Sequence, residues 1–319
     1  MQIVLPKQVA LALLVFPLAA VAADPISTVT LLEGEAAIVR GATRYALAEG
    51  VRIQPGDIIE VADKGLAQIE FVDGAALAMG ARTRLLAVST LSGRPAHAEY
   101  YVMQGALKLT GVKEDARFHF ATPVFSMRPA EGDVVMLVGR DEGSVFVETG
   151  ETRVTVGPST VRLRGGDFYA RKDGRTGAVA PRPSRAFIAS LPKLFFDPLP
   201  RRMARYENRL VEPRRVGEVS YAAVEAWLKA PPNIRLPLVT RFEPRATDPA
   251  FRAGLVKNLK YHPEWDPILN PAVKEQPKGP GAGNASLARD PAAPTREPEM
   301  GNPGVARSNP APVKPVAMP

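Results

Sequence analysis

Residues 51–87, VRIQPGDIIEVADKGLAQIEFVDGAALAMGARTRLLA, contain the pattern that decides the fold of this chain. The clearest part is LAQIEF, in which Ile69 and Phe71 alternate with Gln68 and Glu70. A period of two is typical of a β-strand that buries one face and exposes the other to water. The stretch therefore predicts strands, with Ile69 and Phe71 in a core and with Gln68 and Glu70 facing solvent.

Two turn signals flank this strand. Asp73-Gly74 separates two apolar alternating runs, and this pair tolerates a positive φ angle at little cost, as a hairpin needs. Gly56-Asp57 precedes the strand that begins at Ile58 in a similar way. Neither pair has a base, a metal ligand or a second carboxylate at a spacing that chemistry requires. We therefore expect both turns to serve the fold alone.

The same kind of signal recurs along the first half of the chain. Short β-prone runs fill residues 27–175, and Gly-Asp precedes a strand again at Gly132-Asp133 and Gly166-Asp167. Such recurrence indicates one turn-then-strand unit that is used several times in a coiled or sandwiched sheet. We therefore predict a mainly β domain over residues 27–175.

The remaining chain changes character twice. Residues 184–269 have helical periodicity, with Ser184, Ser220 and Asp248-Pro249 as the expected starts of short helices. These helices are expected either to dock on the β domain or to form a small helical layer. Residues 270–319 are rich in Pro and Ala and have almost no large apolar side chains, which predicts a disordered tail.

Residues 1–23 predict a cleavable signal peptide. Lys7 supplies a positive charge, residues 9–20 form the apolar region, and Ala22-Ala23 ends a cleavage site of small residues. The rival interpretation is an uncleaved anchor, but the apolar run of about 15 residues is shorter than the roughly 20 that span a bilayer. We expect a periplasmic or secreted mature chain without a transmembrane segment.

The 319-residue chain contains no cysteine. An exported protein has access to disulfide bonds, but this chain has no cysteine with which to form one. Its stability therefore depends on packing. The absence of cysteine also excludes a thiol nucleophile, a cysteine zinc site and a lipid-modified N-terminal cysteine.

The strand pattern resembles the FecR-like periplasmic domain. The residues that carry the resemblance are Gly50, Gly56-Asp57-Ile58-Ile59, Ala67-Gln68-Ile69-Glu70-Phe71, Asp73-Gly74, Leu77 and Thr83. Weaker similarity continues through residues 105–109 and 118–123 and fades near Arg171, so it covers about half of the chain. The resemblance implies a β-solenoid-like or sandwich-like domain rather than a closed barrel.

The resemblance also implies a function. The best-known FecR-like proteins regulate transcription across the inner membrane, with a periplasmic β domain, one transmembrane helix and a cytoplasmic anti-sigma segment. In this sequence the β domain begins almost directly after the expected signal peptide, which leaves no room for that cytoplasmic segment. We expect an exported protein-binding module that acts in sensing or regulation with an envelope protein partner.

The sequence contains no recognisable catalytic or cofactor motif. The histidines His97, His119 and His262 lie far apart and lack the spacing of metal ligands. There is no G-x-S-x-G elbow, no P-loop and no G-x-G-x-x-G after a strand. We therefore expect a non-catalytic protein without a cofactor or a metal, and an enzyme on an unfamiliar scaffold is the least favoured alternative.

Basic residues are in excess, with a formal net charge of +8. The densest group, with Tyr206 and Phe195-Phe196 nearby, consists of Arg201, Arg202, Arg205, Arg209, Arg214 and Arg215. Export argues against nucleic acid as a partner, so lipopolysaccharide, anionic lipid headgroups or cell-wall polymers are the expected anions. The alternative function is thus a structural adaptor for peptidoglycan or another anionic polymer, and the plainest interpretation is a solvated basic surface.

Overall fold

A computed structural model describes residues 27–92, 97–114, 117–172 and 174–271. The expected signal peptide and the expected disordered tail lie outside these residues. Strands account for 46% of the described residues and helices for 24%, so the prediction of a mainly β protein followed by short helices is confirmed. In the described part of the chain, no helix has both the length and the hydropathy needed to cross a bilayer.

Fifteen strands and five α-helices make up this structure. The strands are β1 (Ser27–Glu33), β2 (Ala36–Arg40), β3 (Thr43–Ala46), β4 (Ile58–Val61), β5 (Leu66–Phe71), β6 (Ala76–Met79), β7 (Arg84–Ser92), β8 (His97–Val112), β9 (Arg117–Ala121), β10 (Ser126–Val138), β11 (Glu142–Val156), β12 (Ser159–Arg164), β13 (Phe168–Lys172), β14 (Ala178–Ala180) and β15 (Arg214–Glu218). The helices are α1 (Arg185–Ser190), α2 (Tyr221–Leu228), α3 (Pro232–Phe242), α4 (Pro249–Asn258) and α5 (Asp266–Leu269).

The strands belong to one sheet that folds over on itself. Its main path runs β14-β13-β11-β10-β9-β8-β7-β4-β2-β3-β15, while β1 pairs with β5, β5 with β6, β6 with β8, and β12 with β11. Strand β8 joins the two layers of the fold, because residues 97–104 pair with β7 and residues 105–112 pair with β10. Gly105, at φ +123°, separates the two halves, and a Cβ atom there would clash with Thr83.

Alternate residues of the strands face different hydrophobic clusters. In the first layer, the residues that face the central core are Ile38, Ile59, Leu85 and Tyr100. Their sequence neighbours, which face the helices instead, are Val39, Ile58, Leu86 and Tyr101. In the second layer, Leu77 and Met136 face the central core while Ala76 and Val135 face outward under another cover. At these positions both faces of each layer are buried, so the fold is sandwich-like with additional outer cover.

Helices α2 to α5 cover the outer face of the first layer. Trp227 and Trp265 are fully buried there. The predicted helix starts are confirmed. Ser220 Oγ accepts a hydrogen bond from the Ala223 amide, and Asp248 Oδ1 accepts one from the Phe251 amide. In α4, Phe251 and Leu255 are buried, whereas Val256 is 56% exposed.

Arg241 in α3 fastens this helical layer to the sheet. Its guanidinium donates hydrogen bonds to the backbone carbonyls of Val39, Gly41 and Gly56. Burial lowers the pKa of Arg241 to about 10, so the side chain stays charged at neutral pH. The Gly56 turn, expected from the sequence, is thus also a docking point for α3.

The adjacent Asp57 forms a buried ion pair as well as part of the turn. Its carboxylate is 1% exposed and accepts two hydrogen bonds from Arg40, at 2.9 and 2.7 Å, and one from the Gln54 amide at 2.9 Å. The hydrogen bond with Asp57 raises the pKa of Arg40. Asp57 therefore stabilises both the turn and the end of β2.

A second cover lies over the outer face of the second layer. It consists of α1 and of residues 192–206. We call residues 192–206 the strap. Phe187, Phe195 and Leu199 pack on strand residues that include Ala76 and Phe168. The helix expected to start at Ser184 is short, because α1 ends at Ser190 and Pro192 precedes a 3-10 turn over Lys193–Phe196.

The strap overturns the expectation that Gln68 and Glu70 face water. Gln68 is fully buried and Glu70 is 3% exposed. The two carboxylate oxygens of Glu70 accept hydrogen bonds from the backbone amides of Arg202 and Met203, at 2.7 and 3.1 Å. Gln68 Nε2 donates to the Pro200 carbonyl at 2.7 Å. The polar side chains of Gln68 and Glu70 on β5 thus bind the backbone of the strap instead of water.

Strand β15 was not expected, because residues 184–269 were predicted to form short helices. Its sequence, RRVGE, has one large apolar residue and therefore no alternating pattern. It pairs antiparallel with β3, where Arg214 lies opposite Ala46 and Arg215 opposite Tyr45. Pairing with an existing strand, rather than local propensity, determines its conformation.

Phe71 lies at the centre of the core, as predicted. Its ring centroid is 5.1 Å from that of Phe118 and 6.4 Å from that of Tyr100, both in edge-on geometry. These contacts join β5 of the second layer to β8 and β9 of the first. Phe71 is 1% exposed, whereas its neighbour Val72 is 64% exposed.

We expect Phe71→Ala to lower the free energy of unfolding by about 3–5 kcal/mol, because it removes a large buried side chain and leaves a cavity. Val72→Ala is the matched control and should change it by less than about 0.5 kcal/mol. Urea melts of the mature chain measure both values. Equal stability of the two variants would contradict the assigned register of β5.

Candidate functional site

The six arginines predicted as an anion-binding group lie at different parts of the sheet. Arg201 donates a hydrogen bond to Thr110 Oγ1 on β8, at 3.1 Å. The side chain of Arg202 is 3.9 Å from Glu49, and Arg209 is exposed. Arg215 pairs with Glu218 at 2.5 Å, and Arg214 lines a cleft. Anion binding by this group stays a prediction, and Arg214 lies in a cavity with other arginines.

The aromatic residues of this segment mostly support the strap. Phe195 is 1% exposed and Tyr206 is 8% exposed, whereas Phe196 is 58% exposed. The Tyr206 hydroxyl donates to Glu49 at 2.6 Å, and this hydrogen bond lowers the pKa of Glu49. Tyr206 and Phe195 therefore hold the strap to the β strands and are not available to a ligand.

A cleft beside β15 gathers arginines from distant parts of the chain. It has a volume of about 590 Å³. Its arginines are Arg44 on β3, Arg82 before β7, Arg84 on β7 and Arg214 on β15, and we call it the arginine cleft. Sequence reasoning missed Arg44, Arg82 and Arg84, because only strand pairing brings them close to Arg214. Apolar residues such as Leu47 and Val216 line the rest of the wall.

Two of these guanidinium groups share one carboxylate partner. Glu60 accepts a hydrogen bond from Arg44 Nη1 at 2.6 Å and lies 3.5 Å from Arg84 Nε. The side chains of Arg82 and Arg214 have no ion pair among the described residues. Two other carboxylates, those of Glu35 and Asp63, also line the cleft and are exposed. The cleft therefore combines two unpaired cations with acidic residues at defined positions.

The backbone of Arg82 holds its side chain at this position. Arg82 has φ +58°, the only positive value at a non-glycine residue in the described ranges. Its amide donates to the Ala62 carbonyl at 3.2 Å, and its carbonyl accepts from Gln104 Nε2 at 3.0 Å. A left-handed arginine is unfavourable in isolation, so the surrounding contacts maintain it. Such a residue is a reasonable candidate for a functional position.

A second cavity adjoins the arginine cleft at Arg82 and Gln104. Its volume is about 770 Å³, and it lies between the strand ends and the start of the strap. Lys64 and Lys193 line it, together with Glu33 and apolar residues. Arg82 thus lies between two cavities that both carry basic side chains.

The three histidines occupy unrelated positions. His97 is exposed, while His119 faces away from Phe118 and Phe120, as the alternation predicts, and lies 3.2 Å from Glu99. His262 is fully buried in the helical layer. Within the described ranges, no group of three His, Asp or Glu side chains is placed to hold a metal ion.

His262 and Tyr221 form a buried pair between helices. The Tyr221 hydroxyl lies 3.0 Å from His262 Nε2. Burial lowers the pKa of His262 below its ordinary value of 6.5 and raises the pKa of Tyr221 to about 12. Both groups are therefore neutral at pH 7, and their hydrogen bond joins α2 to the segment before α5.

Comparison with known proteins gives limited similarity. The chain matches no family model and no curated protein. Two crystal structures of a proposed anti-sigma factor from Parabacteroides distasonis, at 2.50 and 1.65 Å resolution, are similar with TM-scores of 0.37 and 0.36 and 15% identity. The similarity covers 41% of this chain and 62–63% of theirs, less than two thirds of either. The FecR-like resemblance therefore rests on the residues quoted for it.

The buried His262 predicts a pH-dependent stability. Its folded-state pKa is depressed, so below about pH 6.5 the unfolded chain binds a proton that the folded chain excludes, and stability falls as pH falls. We expect His262→Gln, which retains an acceptor for Tyr221, to flatten the pH dependence between pH 6.5 and 5, by at most about 1.4 kcal/mol per pH unit. Denaturant melts across this range measure it. Identical slopes for the two proteins would show that His262 does not contribute.

Proposed function

We propose that this chain is a non-catalytic, exported module of the cell envelope that acts in sensing or regulation by binding an envelope protein. The signal-peptide pattern of residues 1–23 supports export, and the FecR-like strand pattern supports a regulatory role. The proposal does not include direct anti-sigma activity, because the resemblance covers the β domain and not an anti-sigma segment.

The arginine cleft is the observation that carries the proposal. Arg82 and Arg214 are cations without an ion pair among the described residues, in a cavity that also has apolar walls. Arg82 and Arg214 are both exposed, so a carboxylate or phosphate that entered the cleft could form charge-assisted hydrogen bonds with their guanidinium groups. The cleft therefore suits a partner that presents negative charge beside apolar surface.

An adaptor for peptidoglycan or another anionic polymer is the second candidate. Tyr261 is 49% exposed at the end of the helical layer. The ammonium groups of Lys229 and Lys260 lie 4.7 and 4.9 Å from its ring centroid. Lys229 is already paired with Glu225 at 2.5 Å, so an adaptor would use the exposed ring to stack on a sugar and Lys260 to bind an acidic group.

Retention of the mature chain on isolated bacterial envelopes tests the proposal. We expect wild type to be retained at low salt and to lose retention after the envelopes are treated with protease. The double variant Arg82→Asn/Arg214→Gln should bind at least about tenfold more weakly, because it removes both unpaired cations. Asn tolerates the left-handed backbone at position 82, so the melting temperature should change little.

The charge-matched control is Arg209→Gln/Arg215→Gln, which removes two exposed arginines that do not line the cleft. It should retain nearly wild-type binding. Retention that survives protease and depends on Tyr261 would favour the adaptor. Equal loss in both double variants would mean that overall charge, and not the cleft, determines binding. Protein found in the membrane fraction with residues 1–23 still attached would contradict export as a mature chain.

A further inference from the structure

We propose that β15 is the docking site of an extended acidic polypeptide segment, which adds to the sheet as a further strand and places side chains in the arginine cleft. This inference rests on the proposed function and names the chemistry of its partner. The edge of the sheet supplies backbone recognition, and the cleft supplies selection by charge.

The first argument is the free edge of β15. In the described part of the chain, β15 pairs with β3 alone and ends the main path of the sheet. The outer edge of such a strand presents backbone amides and carbonyls that can pair with another extended chain. Val216 at its centre is 57% exposed, so no other part of the described structure covers this strand fully.

The second argument is the position of the side chains on β15. Arg214 and Val216 line the arginine cleft, whereas Arg215, between them in sequence, pairs with Glu218. The pairing of β15 with β3 shifts register between Arg215 and Gly217, so Val216 lies at an irregular position of the strand. An added strand would have a period of two, so alternate side chains would point into the cleft beside Arg214. Its carboxylates would lie near Arg214 and its apolar side chains near Val216.

The third argument is the arrangement of charge on the other walls of the cleft. Arg82 offers a second unpaired guanidinium, while Glu60 already holds Arg44 and Arg84. Glu35 and Asp63 would repel a uniformly anionic polymer that filled the cleft. A peptide strand on β15 would place its carboxylates beside Arg214 and away from these two acidic residues. Arg82, four strands away just before β7, would add positive potential without direct contact. This arrangement favours an acidic peptide over a polyanion.

Three other strands, β1, β12 and β14, also pair with one strand each. The second edge of β1 is hydrogen-bonded to the backbone of residues 50–53, and neither β12 nor β14 lines the arginine cleft. Strand β14 has three residues, and Arg162 of β12 is paired with Glu151 at 3.1 Å. The combination of a free edge with two unpaired guanidinium groups in one cavity distinguishes β15.

Fluorescence anisotropy with a labelled synthetic peptide of eight alternating glutamate and valine residues tests the inference on the mature chain. We expect saturable binding at low salt. Arg214→Glu should weaken it by at least about tenfold, whereas Arg215→Glu, at the adjacent exposed position, should change it by less than about threefold. The same peptide N-methylated at alternate residues cannot pair along one edge, and should bind at least about tenfold more weakly.

Melting temperatures of both variants should match wild type, and Arg82→Asn is a second variant that removes a cleft cation. Three results would overturn the inference: no saturable binding below about 1 mM, equal binding of the N-methylated peptide, or equal losses in Arg214→Glu and Arg215→Glu. Dextran sulfate that displaced the peptide from wild type and from Arg214→Glu equally would indicate a general polyanion surface instead. Failure of envelope retention with intact peptide binding would contradict the proposed function and leave this site standing.

Discussion

The interaction on which the structure most depends is the contact between Glu70 and the strap. A carboxylate that is 3% exposed would cost several kcal/mol if it had no partner, so its burial requires hydrogen bonds. The amides of Arg202 and Met203 supply them, and Gln68 and Lys108 bind further strap carbonyls, those of Pro200 and Phe195. The sheet surface is therefore built to bind a particular stretch of backbone.

This contact determines how the second half of the chain is arranged. Residues 184–206 cover the outer face of the second layer, and the helices after residue 220 cover that of the first. Between them, β15 joins the edge of the sheet beside β3 and completes the arginine cleft. The proposed binding surface thus depends on β15, which lies outside the β domain of residues 27–175, although three of its four arginines lie within that domain.

Local patterns in the sequence predicted the strand unit around Phe71, the turns at Gly56 and Gly74, and the helix starts at Ser220 and Asp248. Each of these depends on residues that are close in the chain, such as a cap and the amide three positions later. The burial of Glu70 and the composition of the cleft could not be predicted in this way. Both depend on pairing between residues more than 100 positions apart, and a polar side chain that binds backbone has the same sequence signature as one that faces water.

Amide hydrogen exchange of wild type and Glu70→Ala tests the role of Glu70 most directly. We expect the Arg202 and Met203 amides to be protected in wild type and to exchange at least about tenfold faster in the variant, because their acceptor is lost and the strap opens locally. The amides of Ile69 and Phe71, within the strand pairing of β5, should stay protected in both proteins. Unchanged exchange at Arg202 and Met203 would contradict the conclusion that Glu70 fastens the strap to the sheet.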